Sequence, residues 1–125
     1  MMGCVVVAVD EEKNLWQVDI DYFIDNLQEK WPNAPFRFMS EIIPTDLVEW
    51  EPKMGRNELL CIFYKDQQTI SMEGGDLSDY AEIALWYRQL VPPQYHLIFA
   101  DEGGNVKVPL QMNTTKQQIV QAISI

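Results

Sequence analysis

Residues 58–93 read ELLCIFYKDQQTISMEGGDLSDYAEIALWYRQLVPP, and this stretch decides the fold. Residues 58–64 are apolar at both alternating sets of positions, which predicts a central strand covered on both faces. Lys65 to Gln68 is short and polar, and residues 69–72 resume the extended pattern, so a hairpin is the economical connection. From Leu77 the period changes. Tyr80, Ile83, Ala84, Tyr87, Leu90 and Val91 fall on one helical stripe, and Pro92 and Pro93 stop it. Arg88 borders that stripe and is expected to pair with a nearby acid.

Gly74 and Gly75 stand where the strand gives way to the helix, a place that phosphate-cradling loops also fill with glycine. Such a cradle needs free backbone N–H groups at a helix N-terminus and a nearby cation. Glu73, Asp76 and Asp79 crowd this end instead, no base follows the glycines, and the carboxylates already exploit the helix dipole. With Asp76 as the cap, the pair reads as a joint between strand and helix. The same acids lack the dense alternating ligands of a calcium loop, so no metal site is expected.

Working outward, residues 3–9 form a second apolar run, again read as a strand covered on both faces and ended by Asp10, Glu11 and Glu12. Ile20, Phe23, Ile24, Leu27 and Trp31 recur at three and four, an amphipathic helix over 19–31 capped by Asp19 and closed by Pro32. Residues 36–39 and 46–51 are weaker strand candidates. Pro35, Pro44 and Pro52 around them suggest edges or an irregular crossing. Residues 95–100 and 106–110 flank the turn sequence DEGGN. Thr114 with Gln117 three residues on forms a capping box that opens a short helix through Ile119, Val120 and Ile123. The order β-α-β-β-β-α-β-β-α predicts an α+β fold: a mainly antiparallel mixed sheet of about five to six strands, with two longer helices and a short C-terminal helix packed on it.

At 125 residues and 47% hydrophobic, the chain is expected to form one domain, 1–125, with a substantial core. Nineteen acids against nine bases leave a net charge of −10. That field repels nucleic acid and anionic membrane surfaces and draws in a cationic partner. Cys4 and Cys61, each inside an apolar run, are too few for a disulfide framework or a zinc site and read as buried reduced thiols. No apolar stretch approaches the roughly 18 residues of a membrane span, and the N-terminus lacks the basic segment of a signal peptide. The expected location is the cytoplasm, where the sequon at Asn113 carries no sugar.

Catalytic signals are weak. The sole imidazole, His96, shares its strand face with Ile98 and Ala100, and Cys61 is its least implausible nucleophilic partner. No catalytic residue, metal or cofactor is expected. The acids with geometric content are Asp21, Asp25 and Glu29, four residues apart on the first helix, with Asp19 above them. Like charges at that spacing repel by a few tenths of a kcal/mol per pair, so the column is read as a docking face for a basic protein surface. Trp50 between Glu49 and Glu51, together with Trp86, has the composition of interface anchors with a polar rim. The alternative is a small-molecule or regulatory binding module, with its oligomeric state open, using a pocket between helix and sheet lined by Tyr80, Tyr87, Tyr95 and Trp86. An enzyme relying on His96 ranks third.

From about Glu58 onward, four segments carry a resemblance: SMEGGDL before the long helix, LWYRQLVPP at its end, LIFADEGGNV as a hairpin and TTKQQIVQAI as the closing helix. This half resembles small bacterial proteins encoded beside polymorphic toxins, some of them regarded as immunity proteins. The resemblance implies inhibition of a cognate toxin by tight binding, without chemistry. It does not extend to the acidic helix, so the toxin is left open. Toxins that act on nucleic acid carry basic clefts, which suits an acidic inhibitor.

Overall fold

The computed structural model describes residues 3–9, 11, 13–39, 41–42, 44–101 and 103–123. Asp10 and Glu12, expected to end the first strand, lie outside these residues, as does Glu102 of the DEGGN turn. In chain order the elements are β1 (Cys4–Ala8), α1 (Ile20–Lys30), β2 (Phe36–Phe38), β3 (Asp46–Trp50), β4 (Lys53–Met54), β5 (Asn57–Glu58), β6 (Leu60–Tyr64), β7 (Ile70–Glu73), α2 (Leu77–Leu90), β8 (Leu97–Asp101), β9 (Lys107–Leu110) and α3 (Lys116–Ile123). Seven strands make one antiparallel sheet in the order β2-β3-β6-β7-β1-β8-β9, and β4 and β5 form a separate two-stranded ribbon. The class is α+β, as read from the sequence, with seven strands in the main sheet rather than five or six. The proline-flanked segments account for the difference. Phe36–Phe38 escapes Pro35 and lies at the edge, while Asp46–Trp50 pairs on both sides with a register shift between Asp46 and Val48.

Strands β1 and β6 are interior strands, as expected, but they are covered on one face only. Burial alternates along β1, β3 and β6. Val6, Val48, Phe63, Ile70 and Phe99 join one core cluster with Phe23 of α1, Tyr87 of α2 and Ile119 of α3. All three helices therefore lie on one side of the sheet, and the alternate residues face away from them. A single register row crosses the sheet on that other side, running from Arg37 on β2 through Ile62 on β6 to Lys107 on β9.

The glycine pair is a joint. Gly74 has φ +90°, and a Cβ there would sit 3.0 Å from the Glu58 carbonyl oxygen; one on Gly75 would meet Leu59 Cγ at 2.8 Å. Asp76 and Asp79 cap α2 reciprocally: the Asp79 N–H donates to Asp76 (3.0 Å) and the Asp76 N–H to Asp79 (3.1 Å). The Gly75 N–H donates to the Tyr80 hydroxyl at 3.0 Å. The second capping box falls one residue later than expected: Thr115 Oγ1 accepts from the Gln118 N–H, and Gln118 Oε1 from the Thr115 N–H.

Two buried polar side chains fix long connections. Arg88, 2% exposed, donates to the carbonyls of Tyr95, Leu110, Val91 and Pro92, which ties the end of α2 to the turn that follows and to β9. Gln68, in the β6–β7 turn, donates its side-chain amide to the backbone carbonyls of Lys13 and Trp16, and its backbone carbonyl accepts from the Tyr87 hydroxyl at 2.7 Å. The turn thus clamps the segment leading into α1. Replacing Gln68 by Leu keeps much of the volume but removes the donor to two carbonyls. The expected loss is about 2–3 kcal/mol, read as a lower denaturant midpoint with an unchanged slope.

Candidate partner-binding surface

Helix α1 starts where Asp19 accepts the Tyr22 N–H at 3.1 Å and ends where the Trp31 N–H reaches the Leu27 carbonyl at 2.9 Å. Its inner side is held by aromatic packing. Phe23, 0% exposed, stacks on Phe63 at 3.9 Å and meets Trp50 and Trp86 edge-on at 5.5 and 5.6 Å. Leu27 is equally buried one turn on.

At 100° per residue, Asp21, Asp25 and Glu29 fall on the far side of the helix from Phe23 and Leu27, and all three are exposed. Lys30, the helix's one base, turns instead toward Glu82 of α2 (3.4 Å), which also holds Lys116 of α3 (3.4 Å). Among the described residues, no ion pair within 4 Å neutralises Asp21, Asp25 or Glu29. Tyr22, 48% exposed, adjoins them on the helix surface. The sequence reading missed it; the signal was an aromatic standing outside the apolar stripe. A Tyr beside uncompensated acids is the composition of an interface anchor.

Local chemistry predicts a test. Replacing Asp25 by Lys converts two repulsive i,i+4 contacts into attractive ones. The free protein is expected to gain about 0.5–1 kcal/mol, measured as a rise in Tm, because the column opposes folding where it stands.

The other nominated residues divide. Asp19 is exposed, but its carboxylate caps α1. Trp50 is 0% exposed, enclosed by Phe23, Trp31 and Trp86, so it presents nothing to a partner. Trp86 is half-buried in the same cluster, 4.9 Å from Trp31. Glu49 and Glu51 do not join the ridge: Glu49 pairs with Arg37 on the sheet face remote from the helices, and Glu51 lies 3.6 Å from the same guanidinium. Alternation put Trp50 and Glu49 on opposite faces, and the core took the indole.

The tyrosine pocket is replaced by packed core at its centre. Tyr80 and Tyr87 are buried, with their hydroxyls engaged by Gly75 and Gln68. The Cys61–His96 pairing does not form either. Cys61 is buried on β6, two intervening strands separate β6 from β8 beside His96, and a separation of about 14 Å follows from strand spacing. Burial pushes the Cys61 thiol above its ordinary range, as an unreactive thiol requires.

Burial likewise raises the Tyr87 phenol, with Asp66 adding to the shift and Arg88 opposing it. Both groups are neutral when protonated, so the folded chain keeps these protons to higher pH than the unfolded chain does. Their contribution is complete below the ordinary thiol and phenol values, about 8.5 and 10. It is lost as pH rises beyond them, by about 1.4 kcal/mol per unit for each group. The unfolding midpoint is therefore expected to hold from neutrality to about pH 8.5 and then fall. Replacing Cys61 by Ala removes its share and should make the fall above about pH 8.5 shallower.

A groove of about 610 Å³ opens at the C-terminal end of α1, between Trp31, the β4–β5 ribbon and the start of α2. Lys53 of β4, Arg56 between β4 and β5, the cap residue Asp76 and Asp79 of α2 line it. Asn57 locks the ribbon to Asp79 at 2.8 Å. The ribbon is too short to leave a periodic signal, and the sequence reading did not find it. Among the described residues, no group of three or more His, Cys, Asp or Glu is placed to hold a metal, and no helix is long and apolar enough to cross a membrane.

No family model, curated protein or solved structure matches the chain.

Proposed function

We propose that this chain is a non-enzymatic acidic binding protein that occludes a cationic protein surface, in the manner of an immunity protein. One observation carries the reading: Asp21, Asp25 and Glu29 form an exposed column without a counter-ion among the described residues, on a helix whose inner side is clamped by Phe23. The column opposes folding by a few tenths of a kcal/mol per pair, and a basic partner reverses the sign of that term. The net charge of −10 extends the attraction to the approach itself, raising the association rate at low salt. Asp21, Asp25, Glu29 and Tyr22 are the contact residues, with Asp19 and the exposed part of Trp86 at the margin. The fitting partner is a toxin domain whose own substrate is anionic, since such a domain carries the complementary basic cleft.

The test is to capture a basic protein from the source cell at low salt with this chain as bait, and to co-express the captured domain with this chain in a host whose growth that domain arrests. Growth is expected to be restored by this chain and lost again when the three acids are reversed to Lys. Failure to restore growth, with no complex detected at low salt, contradicts the reading.

A further inference from the structure

The helices cover one face of the main sheet. On the other, Val5, Val7, Leu60, Ile62 and Ile98 are only half-buried. Ser71, paired with both Ile62 and Val5, leaves a shallow hollow of about 340 Å³ beside Tyr64. An antiparallel sheet that faces water ordinarily alternates apolar inward with polar outward. Here the outward positions of the middle strands are mostly aliphatic, and the charges lie at the margins. Arg37 and Glu49 occupy the β2–β3 edge, Lys107 the β9 edge, and Glu73 the end of β7. An apolar centre inside a charged rim is the anatomy of a protein interface.

We propose that this face binds the same face of a second copy, giving a twofold-symmetric dimer of stacked sheets. The available area suits that occupant. Seven strands of about five residues present a plane of roughly 34 by 17 Å, close to 600 Å² before side-chain relief is added. A standard interface buries about 800 Å² on each partner. Charge sets the orientation. A half-turn about an axis along the strands lays β9 of one copy over the β2–β3 edge of the other. Lys107 then faces the cluster of Glu49, Arg37 and Glu51, which holds two acids and one base, and symmetry makes this contact twice. The strands of the two sheets cross at about 30°, as aligned sheets do. The α1 ridge points away from this face, so dimerisation and capture of a basic partner use separate surfaces.

Sedimentation of the full chain from about 1 to 200 µM, in about 50 and 500 mM salt, tests the dimer. A reversible monomer–dimer equilibrium is expected. It should tighten with salt, because two copies of charge −10 repel until screened; binding through the acidic ridge should weaken instead. Ile62→Asp places a charge twice in the apolar centre and is expected to weaken the dimer about 100-fold or more. Val5→Thr, which keeps the branched shape and the strand, should weaken it several-fold. Reversing Asp21, Asp25 and Glu29 should leave the dimer in place. A chain that stays monomeric throughout overturns the proposal, as does a dimer that neither Ile62→Asp nor Val5→Thr disturbs.

Discussion

Replacing Phe23 by Ala is expected to remove about 3–5 kcal/mol of stability, the range for deleting a fully buried aromatic ring. The ring is 0% exposed and is shared by three elements. It lies flat on Phe63 at 3.9 Å and touches Trp50 and Trp86 with its edge. No neighbour can refill that volume, because Trp50 and Phe63 are anchored in paired strands. The loss is large for a domain whose total stability is about 5–15 kcal/mol. Tryptophan fluorescence should report it directly, since Trp31, Trp50 and Trp86 form the surrounding cluster. A stability loss of less than about 1 kcal/mol, with unchanged fluorescence, would show that α1 is held by something else.

Phe23→Ala disturbs the ridge by loosening its support and so cannot separate folding from binding. The second large effect does. Reversing Asp21, Asp25 and Glu29 to Lys changes six units of charge on the outer side of α1 and leaves Phe23 and Leu27 untouched. The column stays a column of like charges, so its internal repulsion is little altered. Lys replacing Asp21 in the first turn is mildly unfavourable with the helix dipole, and Lys replacing Glu29 near the last turn is mildly favourable. Stability should therefore stay within about 0.5 kcal/mol of the parent. Affinity for the basic partner should fall about 100-fold or more, close to 2.8 kcal/mol. Asp25→Lys alone pulls the two properties apart, stabilising the free protein and weakening the complex.

The features legible in the sequence are those that local spacing determines. The α2 stripe, its Asp76 cap, the glycine joint and the α1 column each depend on residues within a few positions of one another. The features it hid are settled by distant parts of the chain. Trp50 between two glutamates fits a strand with either side inward, and only the arrival of Phe23 and Trp86 decides that the indole is core. Val5 and Ile62 read as covered on both faces because their neighbours are apolar too. Three helices gathered on one side of a seven-stranded sheet leave them half-buried. The Gln68 clamp joins residues more than fifty positions apart, beyond any periodicity.

The exposed acids of α1 are proposed to hold a cationic protein surface. Titrating the captured partner with the parent chain and with the triple Lys reversal, at ionic strengths from about 50 to 500 mM, measures this most directly. The expected result is an affinity that falls steadily with salt for the parent chain and is weak with little salt dependence for the reversal. Equal affinities for the two chains at the lowest salt would contradict it.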